Sequence, residues 1–450
     1  MNTSVYHHIR NKEMEYCDKI KVEVTILTDH EVKNWGRLIK YHRQKQGLKQ
    51  DDVSVGICTP SYLSRIENGV VIAEQKVYEM LLARLGIDLD QEKGNLEIKH
   101  SFLETIYAKL LSNESLTENE LTRLESCHKE IFQQEIDLLA GLVYSRYLFS
   151  IDAINEAREL LLKIEPFITW HQDRITQMYI AITTNLHLSF LEFQQIIFRE
   201  DHQHVSNYMN TANRFEQANY FYHLAFAHHR YYSFQQALDY INSATQVFSH
   251  QFKPLFQLKL YSMKGVILND LHRFHEALVE FEAGQDLLRN VEAIQTPRQW
   301  SSLYNNIAYC YECQGLFKEA MSFYEQANSF GEDLHTVINW MRASYQERDE
   351  ETLYQLFIEY PNERFNVTHH HYQLLLLKCA SEGNFTIMKL KDLEELVFPY
   401  FKQQEYYSLT LYYAPLWAAF YEELHAYKQA NICLKHALIA SEKVRQRMSS

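Results

Sequence analysis

The sequence predicts an all-α chain, with a small N-terminal bundle of short helices ahead of a long array of helical hairpins. Three observations carry this. The 450 residues contain only 12 Gly and 7 Pro, against 31 Tyr and 25 Phe. Sheets need turn residues at short intervals, so few chain breakers favour long helices joined by short turns. From Glu31 the pattern is helical, with Trp35, Leu38, Ile39 and His42 on one face at i, i+3, i+4, i+7. Beyond about residue 100 the chain also repeats itself.

Composition narrows the class. Hydrophobic residues make up 46% of the chain, ample for cores and against disorder. Cys17, Cys58, Cys127, Cys310, Cys313, Cys379 and Cys433 are scattered and odd in number, unlike a secreted disulfide framework. No apolar run reaches the roughly 18 residues of a spanning helix, and the opening stretch lacks the apolar core of a signal peptide. The expectation is a reduced, cytoplasmic location with no membrane partner. The formal charge is −14 overall, yet Lys33 to Val70 carries seven basic and three acidic residues. That asymmetry suits a nucleic-acid-binding head on an acidic body.

Residues 1–30 form an N-terminal extension to which no role is assigned; Lys21–Leu27 alternates like a short strand. The head spans 31–90. Its first helix ends at Gly47, as a C-cap would. A second covers about Lys49–Val55, and Gly56–Thr59 makes a turn. Thr59 is the expected N-cap of the third helix and Pro60 its first residue. That helix buries Leu63 and Ile66 and stops at Asn68-Gly69; a fourth covers about Glu74–Leu85. Gly86–Asn95 is polar, and 91–100 is expected as a linker. The body spans 101–445.

The body's copies align. Ala237, Ala277 and Ala320 lead three of them, followed four residues later by Ile241, Phe281 and Tyr324. Leu416–Ala437 fits through Ala430, Leu434 and Ala437, and Arg146–Leu162 more weakly through Ala157. Small residues let the paired helices approach, and the large residue fills the gap to the next pair. The stretches before Ala237 and after Ala320 have room for about four degenerate pairs. This pattern resembles the tetratricopeptide repeat, normally roughly 34 residues. The resemblance implies a right-handed solenoid whose concave face binds peptides or protein segments.

The head resembles the helix-turn-helix domain of the Xre/Cro repressor family through Gly36, Ile39, Arg43, Gly47-Leu48, Gln50, Val53, Ser61, Leu63-Ser64, Ile66 to Gly69 and Leu85-Gly86-Ile87. The turn Val55–Ser61 is one residue shorter than usual. The resemblance implies that the third helix enters the major groove, with Thr59, Pro60, Ser61, Tyr62 and Arg65 at its reading end. Arg65 can donate two parallel hydrogen bonds to guanine. Pairing only with Glu67 or with a phosphate is its bland alternative. Gln50 and its helix N-terminus are expected at a phosphate, and Glu67 is expected to brace the motif. Head and body together resemble the peptide-pheromone-responsive regulators of Gram-positive bacteria, the PlcR/NprR/PrgX/Rgg/Rap group, and most of all its NprR branch. That implies a quorum-sensing transcriptional regulator that is not an enzyme. It implies a palindromic DNA operator, a short signalling peptide in the groove, and a homodimer or higher assembly on peptide binding. The alternatives are a Rap-like modulator binding a response regulator, and a prophage lysis–lysogeny regulator.

Frames set by Ala237, Ala277 and Ala320 place Tyr222, Phe226, His229 and Arg230 on the groove face of the first copy. Ser262, Val266 and Asn269 fall on the second, and Ser302, Asn305, Tyr309 and Glu312 on the third, with Asn306 adjacent. An Asn amide both donates and accepts, so Asn269, Asn305 or Asn306 can clasp a peptide backbone; satisfying a neighbouring helix is the bland alternative. Arg230 and Glu312 can select charge.

No cofactor or metal is expected. Cys310-x-x-Cys313 has no second ligand pair at zinc spacing. His369–His371, His202 and His204 are expected on solvated loops. The apolar run Leu409–Phe420 is expected as a late repeat helix or a dimer surface.

Overall fold

The computed structural model describes residues 29–128, 135–168, 174–198, 212–249 and 253–449, and among them every regular element is helical. The strand expected at Lys21–Leu27 lies outside the described residues, as do His202 and His204. Two compact units divide between Ile182 and Thr183.

The first unit opens with α1 (Asp29–Lys45), α2 (Gln50–Ser54), α3 (Pro60–Glu67) and α4 (Gln75–Arg84). Gly47 has φ +68°, the left-handed conformation that ends α1. Thr59 is extended and its hydroxyl accepts the Tyr62 N–H, so α3 begins with a cap and a Pro. Trp35, Leu38, Ile39, Val53, Leu63, Ile66 and Leu81 form the core. Helices α1 and α3 cross closely: a Cβ on Gly36 would lie 2.1 Å from the Ile66 carbonyl oxygen, so only glycine fits.

Residues 91–100, expected as a linker, lie inside α5 (Leu89–Leu111), whose N-cap is Asp88. Leu103, Ile106, Tyr107 and Leu110 form its buried stripe, and Gln91, Asn95 and Glu97 in its first turns are exposed. Helices α6 (Glu118–Cys127), α7 (Glu135–Ser150), α8 (Ile154–Ile164) and α9 (Arg174–Ser189) follow, α9 running across the division.

The second unit continues with α10 (Phe193–Ile197) and six hairpins. The pairs are α11 (Arg214–Arg230) with α12 (Phe234–Phe248), α13 (Pro254–Asp270) with α14 (Phe274–Asn290), and α15 (Pro297–Cys313) with α16 (Phe317–Ser329). The later pairs are α17 (Leu334–Glu347) with α18 (Glu350–Glu359), α19 (Thr368–Glu382) with α20 (Ile387–Gln403), and α21 (Tyr407–Glu423) with α22 (Tyr427–Ser449). Ala237, Ala277 and Ala320 are fully buried, as are Ile241 and Tyr324, with Phe281 almost so. The Phe281 ring packs inside its own pair rather than only towards the next: a Cβ on Gly265 would meet it at 2.4 Å. Each hairpin turn passes through one left-handed residue, namely Tyr232, His272, Gly315, Arg348, Gly383 or His425. Four of these carry side chains, so the packed helices impose the turn and glycine is not required.

In the last pair the alignment is off. Cys433 takes the buried position while Leu434 is 44% exposed. In the interior pairs α12, α14 and α16 also pack on the first helix of the following pair. On α22 Leu434 and Leu438 are exposed. The run Leu409–Phe420 belongs to a repeat helix, with Tyr413, Ala414, Trp417 and Phe420 buried. It does not form an open surface. His369–His371 lie in the first turn of α19 rather than on a solvated loop, and His370 is buried.

The first and last pairs of this unit meet. The Tyr232 hydroxyl donates to the Glu405 carbonyl at 3.1 Å and accepts the Ser408 N–H at 3.3 Å. Arg447 pairs with Glu405 through two bonds of 2.6 and 3.0 Å and stacks 3.9 Å from the Tyr231 ring centroid.

Two mid-helix glycines give opposite expectations. Gly265→Ala drives a methyl into the Phe281 ring and should lose about 1–3 kcal/mol. At Gly284 the nearest atom to a Cβ is 3.4 Å away. Gly284→Ala should therefore gain about 0.5–1 kcal/mol from helix propensity. Urea unfolding of the full chain reads both.

Candidate nucleic-acid interface and ligand groove

In α3, Leu63, Ile66 and Glu67 face inward while Pro60, Ser61 and Arg65 face solvent, with Thr59 exposed ahead of them. Tyr62 is half-buried and packs on the core of the head, leaving part of its surface outward. Glu67 is 2% exposed. A buried carboxylate needs compensation, and Arg43 supplies two bonds, from Nε at 2.6 Å and Nη2 at 2.9 Å. Those bonds, with the Glu67 charge, raise the Arg43 pKa above its ordinary value. The Gln50 amide, expected at a phosphate, donates to Glu67 at 2.8 Å. Sequence reasoning overlooked this because it treated Gln50 as a free surface amide. Glu67 thus braces the motif, as expected. With it occupied, Arg65 has no carboxylate within salt-bridge distance among the described residues.

In the second unit, α11, α13, α15, α17, α19 and α21 are the first helices of the pairs. Several residues expected on the open groove face instead stitch one first helix to another. His229 meets Asp270 at 2.7 Å, Asn269 donates to the Cys313 thiol at 3.4 Å, and Asn305 accepts from Asn339 at 3.3 Å. Glu312, expected to select ligand charge, takes two bonds from Arg342 at 2.5 and 2.9 Å and one from the Tyr324 hydroxyl at 2.6 Å. The physical reason is convergence: on the concave side neighbouring first helices come close enough for side chains to touch. Burial works against the Arg342 charge, but the Glu312 charge and bonds outweigh it and hold its pKa well above the ordinary value.

Other expected residues keep some access. Arg230 is exposed and lies 5.8 Å from the Phe193 ring centroid. Asn306 and Tyr309 are half-buried, Ser262 likewise, and Ser302 is exposed. Tyr222, Phe226 and Val266 pack against the core, and burial pushes the Tyr222 pKa up to about 12. Asn269 keeps its buried carbonyl oxygen without a partner.

The sequence reading missed Asn339, Arg342, His335 and Tyr412 and put His369 on a loop; all come from the last three pairs. Helices α18 and α20 lack the leading Ala, so nothing set their frames. Here Asn339 lies 3.5 Å from His335 Nε2, and His335 Nδ1 lies 3.1 Å from His370 Nε2. If the Asn339 amide donates, His335 carries its proton on Nδ1 and passes a hydrogen bond to His370. That chain needs both rings neutral. Burial, then the neighbouring His335, pushes His370 down to about 4, and burial likewise lowers His335.

A depressed histidine takes up its proton first in the unfolded chain. Stability should therefore fall as pH drops from the ordinary 6.5 towards about 4. His370→Gln should flatten that slope, as urea midpoints across the window will show.

Comparison with known proteins follows the same division. Residues 39–91 match the helix-turn-helix family HTH_3. The chain is 21% identical over 408 residues to the transcriptional activator NprA of Geobacillus stearothermophilus, covering 84% of this chain and 95% of that one. The apo quorum sensor NprR from B. thuringiensis has the same fold (TM-score 0.59, 15% identity, 79% of this chain and 100% of that one). So does a Rap protein complexed with competence and sporulation factor (TM-score 0.64, 13% identity, 78% and 99%). NprR in complex with its cognate peptide NprX gives a TM-score of 0.53 at 16% identity, covering 76% and 98%. The chain therefore joins a helix-turn-helix segment to a helical-repeat solenoid of the NprR and Rap fold.

Proposed function

We propose that this chain is a transcriptional regulator that reads DNA through α3 and is switched by a short peptide held in the second unit's groove. The observation that carries it is the pairing on one chain of a braced helix-turn-helix, whose Arg65 is uncommitted, with a groove that keeps open polar groups. A transcriptional activator aligned along most of the chain supports the regulatory role. A solved structure of the same fold, NprR, holds its cognate peptide NprX. The Rap-like alternative, binding a response regulator, does not call for a DNA-reading head. In this reading the protein works in the cytoplasm, performs no catalysis and uses no cofactor; no helix among the described residues is long and apolar enough to cross a membrane.

Thr59, Pro60, Ser61 and Arg65 contact the operator, with Tyr62 at the edge and Gln50 acting through Glu67. Arg230, Asn306 and Tyr309 face the peptide, and Asn269 supplies an acceptor. One recognition helix covers a half-site of a few base pairs, so the operator is a palindrome read by a dimer. Arg65→Ala should cost about 1–3 kcal/mol on the selected site and relax preference at one base pair. Site selection from a random duplex pool, then fluorescence anisotropy, checks this; equal weakening on specific and random DNA counts against base reading.

The dimer is held by the face of α22 on which the apolar side chains of Leu434 and Leu438 are exposed. Leu434→Glu with Leu438→Glu should give a monomer in sedimentation equilibrium while the helical circular dichroism is kept.

A further inference from the structure

The two ends of the second unit bring Arg230 into a polar corner. The Tyr232 hydroxyl bonds to Glu405 and Ser408, and so ties the end of α11 to the residues flanking Tyr406. From Tyr406 the contacts run inward. The His369 ring lies 4.9 Å from that of Tyr406 and 4.2 Å from that of His370. His370 meets His335 at 3.1 Å. The Arg230 charge bears on His335, His369 and Tyr406 alike.

This corner is short of negative charge. Arg273, Arg289, Arg342, Arg364 and Arg447 each have a carboxylate partner; Arg230 has none among the described residues. Asp270 is held by His229. Asp333 accepts the His335 N–H through one oxygen and lies 3.3 Å from the Thr336 hydroxyl through the other. Helices α17 and α19 also begin here, at His335 and His369, so their positive ends add to the same field.

We infer that the corner formed by Arg230, His369 and Tyr406 is an anchor for a carboxylate of the bound peptide. A guanidinium offers a planar fork matched to a carboxylate, and the ring N–H and phenol can complete the set. The carboxylate is either an acidic side chain or the peptide's own C-terminus. The inference rests on the groove being a peptide site, and the test separates the two ideas.

Synthetic random heptapeptide pools are incubated with the full chain, and captured members are sequenced by mass spectrometry. One pool has free C-termini and the other C-terminal amides. The wild type should enrich carboxylate-bearing peptides about tenfold over their neutral counterparts, as a charge-assisted bond implies. Enrichment within the amide pool of members containing Asp or Glu identifies a side-chain carboxylate. Preference for the free-acid pool irrespective of sequence identifies the terminus. Arg230→Gln should abolish the bias, and His369→Gln should weaken it. Peptide capture without acid bias, or a bias unchanged in both variants, overturns the anchor alone. No capture by the wild type overturns the peptide-receptor reading as well.

Discussion

The Arg342–Glu312 pair is the interaction on which the groove depends. Both side chains are only 8% exposed, so neither charge survives alone; removing one partner of such a pair costs about 3–5 kcal/mol. The pair's net gain over two apolar side chains is small for the same reason. Its value is positional. Arg342 lies on α17, reaches back to α15 through Glu312 and Tyr324's bond, and sits between the rings of Tyr309 and Tyr412. A shift of α17 against α15 would break charged bonds rather than slide apolar surfaces. The first helices are therefore fixed in register where a ligand would lie.

The first unit uses the same device. Glu67, buried in α3, is held by Arg43 and Gln50, and that fixes the recognition helix against α1. In both units an interior carboxylate is claimed by one arginine, and an outward arginine, Arg65 or Arg230, is left without an acid among the described residues. Internal neutralisation and external positive charge come from one arrangement. The acidic total of the chain does not prevent it, because the acids concerned are already committed.

The head was legible because its signals are local. Thr59-Pro60 marks the start of α3, Gly47 the end of α1, and Gly36 the crossing, each within a few residues of what it controls. The alternating small and large residues likewise set the frames around Ala237, Ala277 and Ala320. The groove was legible only in part. The bonds that stitch its wall join residues 30 to 44 positions apart, and one side of several lies in pairs without the marker alanine. Asn305 and Asn306 sit next to each other in sequence, yet Asn305 bonds to a neighbouring helix and Asn306 is open. That choice depends on a rotation of about 100° per residue, finer than the frame could fix. The polar stretch 91–100 misled for another reason: exposed first turns of a capped helix have the composition of a linker.

Closure changes what the repeat array can do. In an open solenoid each pair touches only its neighbours, and stability is close to a sum of local terms. In the second unit the turn at Tyr231–Ser233 is bonded to Glu405, Ser408 and Arg447, the last also through the Ser233 hydroxyl. The partners are 173 to 214 residues apart. Small rotations accumulated along six pairs must now sum to a fixed value, so altering one pair strains the seam or the others. Arg230 and Tyr406 flank that seam. A charge bound between them acts at the point where the whole array is closed, and a short ligand there can bias helices it never touches.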